Sequence, residues 1–331
     1  MNKIDQIFID LLKQKIPENI SATEVIAAAL GINYDAAYRR LNNKVSFKLK
    51  ETVILSKKYD ISLNNLYEVG ESNSYMINSS SPIQSINDFG VYLTKVNDDL
   101  LPLVGKEDAS ITFSTRELPM FYFFEQSILI HFKMYIWLFI LIKTPISKRI
   151  HFQDFVVSDD IIARARSARK TYDNINVTEM WSFGALNNIL QQLLFLFRMQ
   201  LISLENATEV CNALVLEIKN VEIKTQKREH SKVNSFKLYS NELFMMNNSM
   251  ILKNKNKIRF TYPYALLKYF IINSQEACLE QEAYIDEQKS HSINVSSTSV
   301  KEHALFFNSK YEKIKQLILV MKNEEEKPIF L

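Results

Sequence analysis

Between residues 20 and 67 the chain reads ISATEVIAAALGINYDAAYRRLNNKVSFKLKETVILSKKYDISLNNLY. Apolar positions recur there every three or four residues, broken by residues that start or stop helices. Ser21 stands three before Glu24, the capping-box spacing, with Ile20 and Val25 at the positions of a hydrophobic staple. This predicts a helix from Ala22 with Val25, Ile26, Ala29 and Leu30 on its apolar face. Gly31 ends it, because glycine takes the left-handed conformation without Cβ strain. Asn33 is placed to cap a second helix over 34–41, with Ala37 and Leu41 inward. Leu49, Val53, Ile54 and Leu55 predict another helix, with Lys50, Lys57 and Lys58 outward. Ser62 caps a last turn holding Leu63 and Leu66. Ahead of all these, Ile4, Ile7, Phe8, Leu11 and Leu12 predict the first helix. Residues 1–70 therefore read as an all-α domain of five short helices.

The pattern then stops. Residues 71–89 are rich in Ser and Asn, carry no apolar period and read as a linker. Residues 90–331 read as an α+β region. Residues 110–114 alternate like a short strand, and 118–143 look helical. Leu186, Ile189, Leu190, Leu193, Leu194 and Phe197 form one wide helical stripe. Asn206 and Glu209 stand at capping-box spacing, which predicts a helix start there. Residues 235–240, 249–253 and 257–262 look like strands, the last two joined by a polar turn. Ala304, Phe307, Tyr311, Ile314, Ile318 and Met321 line a long final helix.

Length and charge sharpen this division. A chain of 331 residues, 47% hydrophobic, has material for two or three domains. Its 40 Lys plus Arg against 37 Asp plus Glu leave only +3 overall. The distribution is uneven: residues 33–58 hold seven basic and two acidic side chains, a local +5. Such a cluster just after the turn is the footprint expected for phosphate contact. A second basic region, 219–259, holds ten basic and three acidic residues. It allows two readings, contact with DNA flanks or a solvated rim, and would place Lys253, Lys255 and Lys257 on one face unless the turn intervenes.

Other chemistry is sparse. Five scattered glycines make neither a GxGxxG nor a P-loop, and five histidines show no metal-ligand spacing. Cys211 and Cys278 form no CxxC. The adjacent acids Asp98–Asp99 and Asp159–Asp160 read as surface carboxylates. No enzyme, cofactor or metal is expected. The most apolar stretch, 118–142, contains Glu125, Gln126, His131 and Lys133, and its unbroken part of nine residues would span only about 13 Å of helix. A bilayer core needs about 20 residues, so a core helix is expected, with no membrane contact. The N-terminus alternates charged and apolar residues, unlike a signal peptide; the cytoplasm is the expected location. Phe121, Tyr122, Phe123, Phe124, Tyr135 and Trp137 fit either a core or a pocket.

The N-terminal pattern resembles the lambda-repressor and Cro type of helix-turn-helix, the XRE type, on Ala27, Gly31, Ile32 and the helix 34–41, followed by the basic loop and helix over 42–66. The resemblance covers about a fifth of the chain. It implies a sequence-specific DNA-binding transcriptional regulator. Asn33, Tyr34, Asp35, Tyr38 and Arg39 become base-facing candidates, and Arg40, Lys44 and Lys48 backbone-facing ones. The apolar residue usual near the end of the recognition helix falls on Arg40, with Leu41 in its place; a one-residue rotation would exchange Arg39 and Arg40. The implied partners are double-stranded DNA and a second copy of the chain, since a dimer doubles the bases read, with a small-molecule or protein effector for the C-terminal region. A protein-binding adaptor that reuses the same helices without DNA is the alternative. More loosely, residues 172–182 and 238–262 resemble helix-turn-helix proteins of Bacteroidota, a resemblance that assigns no ligand.

Overall fold

The computed structural model describes residues 3–17, 20–59, 61, 63, 77–80, 83, 85–141, 150–226, 233–241, 248–255 and 257–326. The chain divides into two compact units, Met1–Met76 and Ile77–Leu331.

The first unit is helical: α1 (Lys3–Lys15), α2 (Ala22–Leu30), α3 (Tyr34–Leu41) and α4 (Leu49–Tyr59). Its stops and starts follow from local chemistry. The Ser21 hydroxyl accepts from the Glu24 N–H, and Gly31 closes α2 in the left-handed region, at φ 66° and ψ 34°. Asn33 caps α3 by accepting from the Ala36 N–H at 2.8 Å. Phe8, Ile9 and Leu12 of α1 meet Ile26, Ala37, Leu41, Phe47 and Leu55 in one core. The Phe8 and Phe47 rings meet edge to face at 5.5 Å. The expected fifth helix, over 62–66, lies outside the described residues except for Leu63. α4 also differs from expectation. Leu55 is buried but Leu49 is 79% exposed and Ile54 37%. Glu51 turns toward α3 to pair with Arg40, and a residue two positions from it points the opposite way around a helix.

The second unit is built on an eight-stranded mixed sheet, in the order β1-β7-β6-β5-β2-β3-β4-β8. The strands are β1 (Ile77–Ser79), β2 (Ala109–Thr115), β3 (Asn176–Ser182), β4 (Phe236–Asn241), β5 (Ser249–Asn254), β6 (Lys257–Ala265), β7 (Lys268–Ile272) and β8 (Ile293–Asn294). β2, β3 and β4 are parallel and every other pairing is antiparallel. The helices are α5 (Ile86–Leu100), α6 (Ser127–Leu141), α7 (Asp159–Tyr172), α8 (Asn187–Arg198), α9 (Leu204–Gln226), α10 (Gln275–Ser290) and α11 (Val300–Glu325). On β3 the pleat sorts residues between two cores: Val177 and Trp181 join the large one with α5–α9 and α11, whereas Met180 joins a small one with Ile251, Phe260, Cys278 and Ile285 beneath α10. Burial pushes the Cys211 thiol up to about 12, so it packs as an unreactive apolar group.

Several expectations for this region need correction. Ile77–Ser79, assigned to the linker, pairs with β7, and α5 begins at Ile86 within the same span. A short polar segment shows no apolar period when it contributes one edge strand and a helix cap. Residues 118–143 are not one helix: a 3-10 turn at Met120–Phe123 precedes α6. α9 starts before Asn206, because the Ser203 hydroxyl accepts from the Asn206 N–H. Lys253, Lys255 and Lys257 do not share a face, since Lys255 sits in the hairpin turn at φ 54°. The aromatic run 121–124 is core, and Trp137 is both buried and lines a cavity. Among the described residues no helix is long and apolar enough to cross a membrane.

Candidate nucleic-acid interface

The outward side of α3 is assembled by its two caps. Ala37 and Leu41 are buried, so residues a half-turn away face outward. Tyr34 is 52% exposed and Tyr38 46%, and their rings stack at 6.5 Å with planes 13° apart. Asp35 and Arg39 are also exposed. The C-terminal end is closed by Asn43, a left-handed residue at φ 53°, whose side-chain amide donates to Gln6 of α1. The Lys44 N–H donates to the Arg39 carbonyl at 2.8 Å. Lys44 and Lys48 are exposed on the connection to α4, and Lys50 on its first turn. Among the described residues no carboxylate forms an ion pair with Arg39, Lys44, Lys48 or Lys50.

Two of the residues singled out from the sequence are occupied otherwise. Asn33 spends its side-chain oxygen on the cap of α3. Arg40, expected on the DNA backbone, packs inward. Its guanidinium bonds both Glu51 oxygens, at 2.9 and 3.0 Å, and the Ala36 carbonyl at 3.0 Å. Glu51 also accepts from the Lys48 N–H at 2.9 Å, which caps α4. Burial pushes the Glu51 carboxyl up, but the bonds from Arg40 and Lys48 outweigh it and hold it below the usual carboxylate value. Glu51 was missed in the sequence; its signal was its place three residues after Lys48, at the third position of α4. Tyr34, Asp35, Tyr38, Arg39, Lys44 and Lys48 thus lie together on the surface, and Arg40 ties α3 to α4 beneath them.

The second unit holds its own buried polar cluster. Glu179, on β3, is fully buried and accepts from the Tyr122 and Tyr172 hydroxyls and the Trp181 indole N–H, each at 2.7 Å. Burial raises its pKa, opposed by those three bonds and by Lys224. Arg169 lies between Asp173 and Glu217, at 2.7 and 3.2 Å. With its acceptors engaged by core side chains, Glu179 organises packing and presents no open atom to a substrate. Among the described residues no group of three His, Cys, Asp or Glu is placed to hold a metal ion.

No family model, no curated protein and no solved structure matches the chain.

Proposed function

We propose that the chain is a DNA-binding transcriptional regulator of the XRE helix-turn-helix type, with α3 as the recognition helix. The observation that carries this reading is the outer side of α3: Tyr34, Asp35, Tyr38 and Arg39 stand exposed beside the cations Lys44 and Lys48. A guanidinium at Arg39 suits the acceptor pair of guanine, worth about 1–3 kcal/mol of discrimination. Tyrosine rings offer apolar contact to a thymine methyl. Lys44 and Lys48 meet phosphates, which carry affinity but no sequence information. The reader works as a homodimer, which the exposed apolar Ile140 of α6 and Phe195 of α8 support.

The test is selection of bound sequences from random duplex DNA with the full chain, followed by titration at several salt concentrations. Lys44→Ala lowers the logarithmic salt slope by about 1 and weakens all sites alike. Arg39→Ala flattens preference at one or two positions of a half-site. No selected sequence, or a salt-independent affinity, overturns the reading. Sedimentation at micromolar concentration tests the dimer, and a strict monomer removes it.

The adaptor reading has one observation of its own. Leu49 and Val45, exposed by 79% and 44%, sit next to the cationic loop, where a protein partner would cover them. Leu49→Ser then abolishes partner capture and leaves DNA selection unchanged.

A further inference from the structure

Within the second unit, α5, α6 and the sheet do not close on one another. They enclose a cavity of about 370 Å³, within the roughly 300–1,000 Å³ range of small-molecule sites. Its walls are mostly apolar: Tyr92 and Val96 from α5, Trp137 from α6, Phe113 from β2 and Leu252 from β5. Residual space on this scale is unusual in a core that otherwise packs ring against ring.

One buried charge faces this space; the other ionisable groups of the lining, Asp88, Lys95, Asp99, Glu117 and Arg259, are exposed or half-buried. Lys133 lies on α6 among Met134, Tyr135, Ile136 and Trp137, all buried, and is itself only 6% exposed. Its ammonium is 4.7 Å from the Phe123 ring centre and 5.6 Å from that of Trp137. The nearest carboxylate, Glu117, is 3.9 Å away, beyond hydrogen-bond distance, and bonds Asn188 instead. An ammonium has three protons to donate and is costly to bury without acceptors. Burial accordingly lowers the Lys133 pKa, with Glu117 opposing. The Ser249 hydroxyl, on the same cavity wall, is buried and has no hydrogen-bond partner among the described residues. Of the other cations on the lining, Arg259 is paired with Asp99 at 3.0 Å and Lys95 is exposed.

We propose that this cavity binds a small monoanionic amphiphile, a carboxylate on an apolar tail, with its head on Lys133 and its tail between α5 and the sheet. A single buried cation favours one negative charge over a phosphate's two. The loose Glu117 contact leaves ammonium protons for a ligand acceptor, and Ser249 offers a second polar contact. The apolar walls supply affinity through burial of the tail. This proposal goes beyond the DNA-binding reading and does not depend on it.

The experiment is calorimetric titration of the full chain, without DNA, with decanoate, decan-1-ol and decylamine at concentrations below micelle formation. Decanoate binds at one site per chain, at least tenfold more tightly than decanol, and decylamine does not bind. Lys133→Met removes the preference for decanoate over decanol while decanol affinity stays within about threefold. Val96→Trp, which fills the cavity, abolishes both. Equal binding of the three probes, or no binding of any, overturns the proposal through the wild-type protein alone, whatever the folding of the variants. An unchanged decanoate preference in a folded Lys133→Met chain also overturns it. Loss of DNA selection with decanoate binding intact would refute only the regulator reading.

Discussion

Replacing Arg40 with Ala should loosen the first unit, whereas replacing its neighbour Arg39 should not. Arg40 makes two bonds to Glu51 and one to the Ala36 carbonyl, and the two side chains are 11% and 14% exposed. An exposed pair is worth about 0–1 kcal/mol, and breaking a fully buried one costs about 3–5 kcal/mol. At this depth a cost of about 2 kcal/mol is expected, in line with charge-assisted bonds. Glu51 would keep only the Lys48 N–H. Both tryptophans lie in the second unit, so tryptophan fluorescence is blind to this change. Hydrogen exchange of the intact chain, followed on peptides from α3 and α4, reads it directly. Arg40→Ala should speed exchange there by about 30-fold, since 1.4 kcal/mol is a factor of ten. Arg39→Ala should leave it within about twofold. A double-mutant cycle with Glu51→Ala should return a coupling of about 1–2 kcal/mol. Unchanged exchange in Arg40→Ala, with faster exchange in Arg39→Ala, would refute the pairing and put α3 one residue out of rotation.

Gly31 sits at φ 66°, and an added Cβ would meet nothing within 4 Å; Gly31→Ala should therefore cost about 1 kcal/mol from backbone strain alone, and Gly31→Asn less, read as exchange of α2. Burial and the like charge of Lys313 push Lys310 down to about 8, below its unfolded value near 10.4. The unfolded chain then holds more protons between these values, and stability rises with pH. The stability of wild type relative to Lys310→Met should grow by about 2 kcal/mol from about pH 7.5 to 9.5, measured by urea unfolding of the second unit; a flat difference would mean Lys310 is not desolvated. Glu179→Gln keeps an oxygen for both tyrosines but turns an amide N–H toward the Trp181 N–H. It should cost about 1–3 kcal/mol, and a tryptophan-fluorescence melt equal to wild type would show that the carboxyl is already protonated.

What the sequence revealed was local. Ser21, Gly31 and Asn33 act on backbone groups within four residues of themselves, so their roles in α2 and α3 could be read directly from spacing. The hairpin of β5 and β6 was equally local. Residues whose partners lie far along the chain were not legible. Arg40 looked like a surface cation because nothing in its own helix shows that Glu51, eleven residues on, faces it. β3 gave no alternation of apolar and polar residues, because it is central and buried on both sides, with Glu179 inside. Lys133 read as a polar interruption of an apolar run; only the packing of α6 shows it facing a cavity. α7 is rich in Arg and Lys around a sparse stripe of Ile161, Ala165, Ala168 and Tyr172, and nothing in that pattern shows that Arg169 is buried against Asp173 and Glu217.

Charge counts along the chain behave in the same way, and this bears on where DNA would be met. Residues 219–259 carry more net charge than residues 33–58, which by count alone favours the second unit. Pairing reverses the order of interest. Lys224 meets Asp173, Lys253 meets Glu282 and Arg259 meets Asp99, each partner lying outside the segment that was counted. A cation already hydrogen-bonded to a carboxylate gains little from a phosphate, because the carboxylate must be displaced or repelled. In the first unit the only ion pair among the described residues is Arg40 with Glu51, and both of its members lie inside the counted segment. Removing that pair leaves the local +5 unchanged, with Arg39, Lys44 and Lys48 among the exposed side chains that carry it. Phosphate binding depends on the charges left unpaired, which argues for the smaller unit as the DNA reader despite the larger one's longer list of lysines.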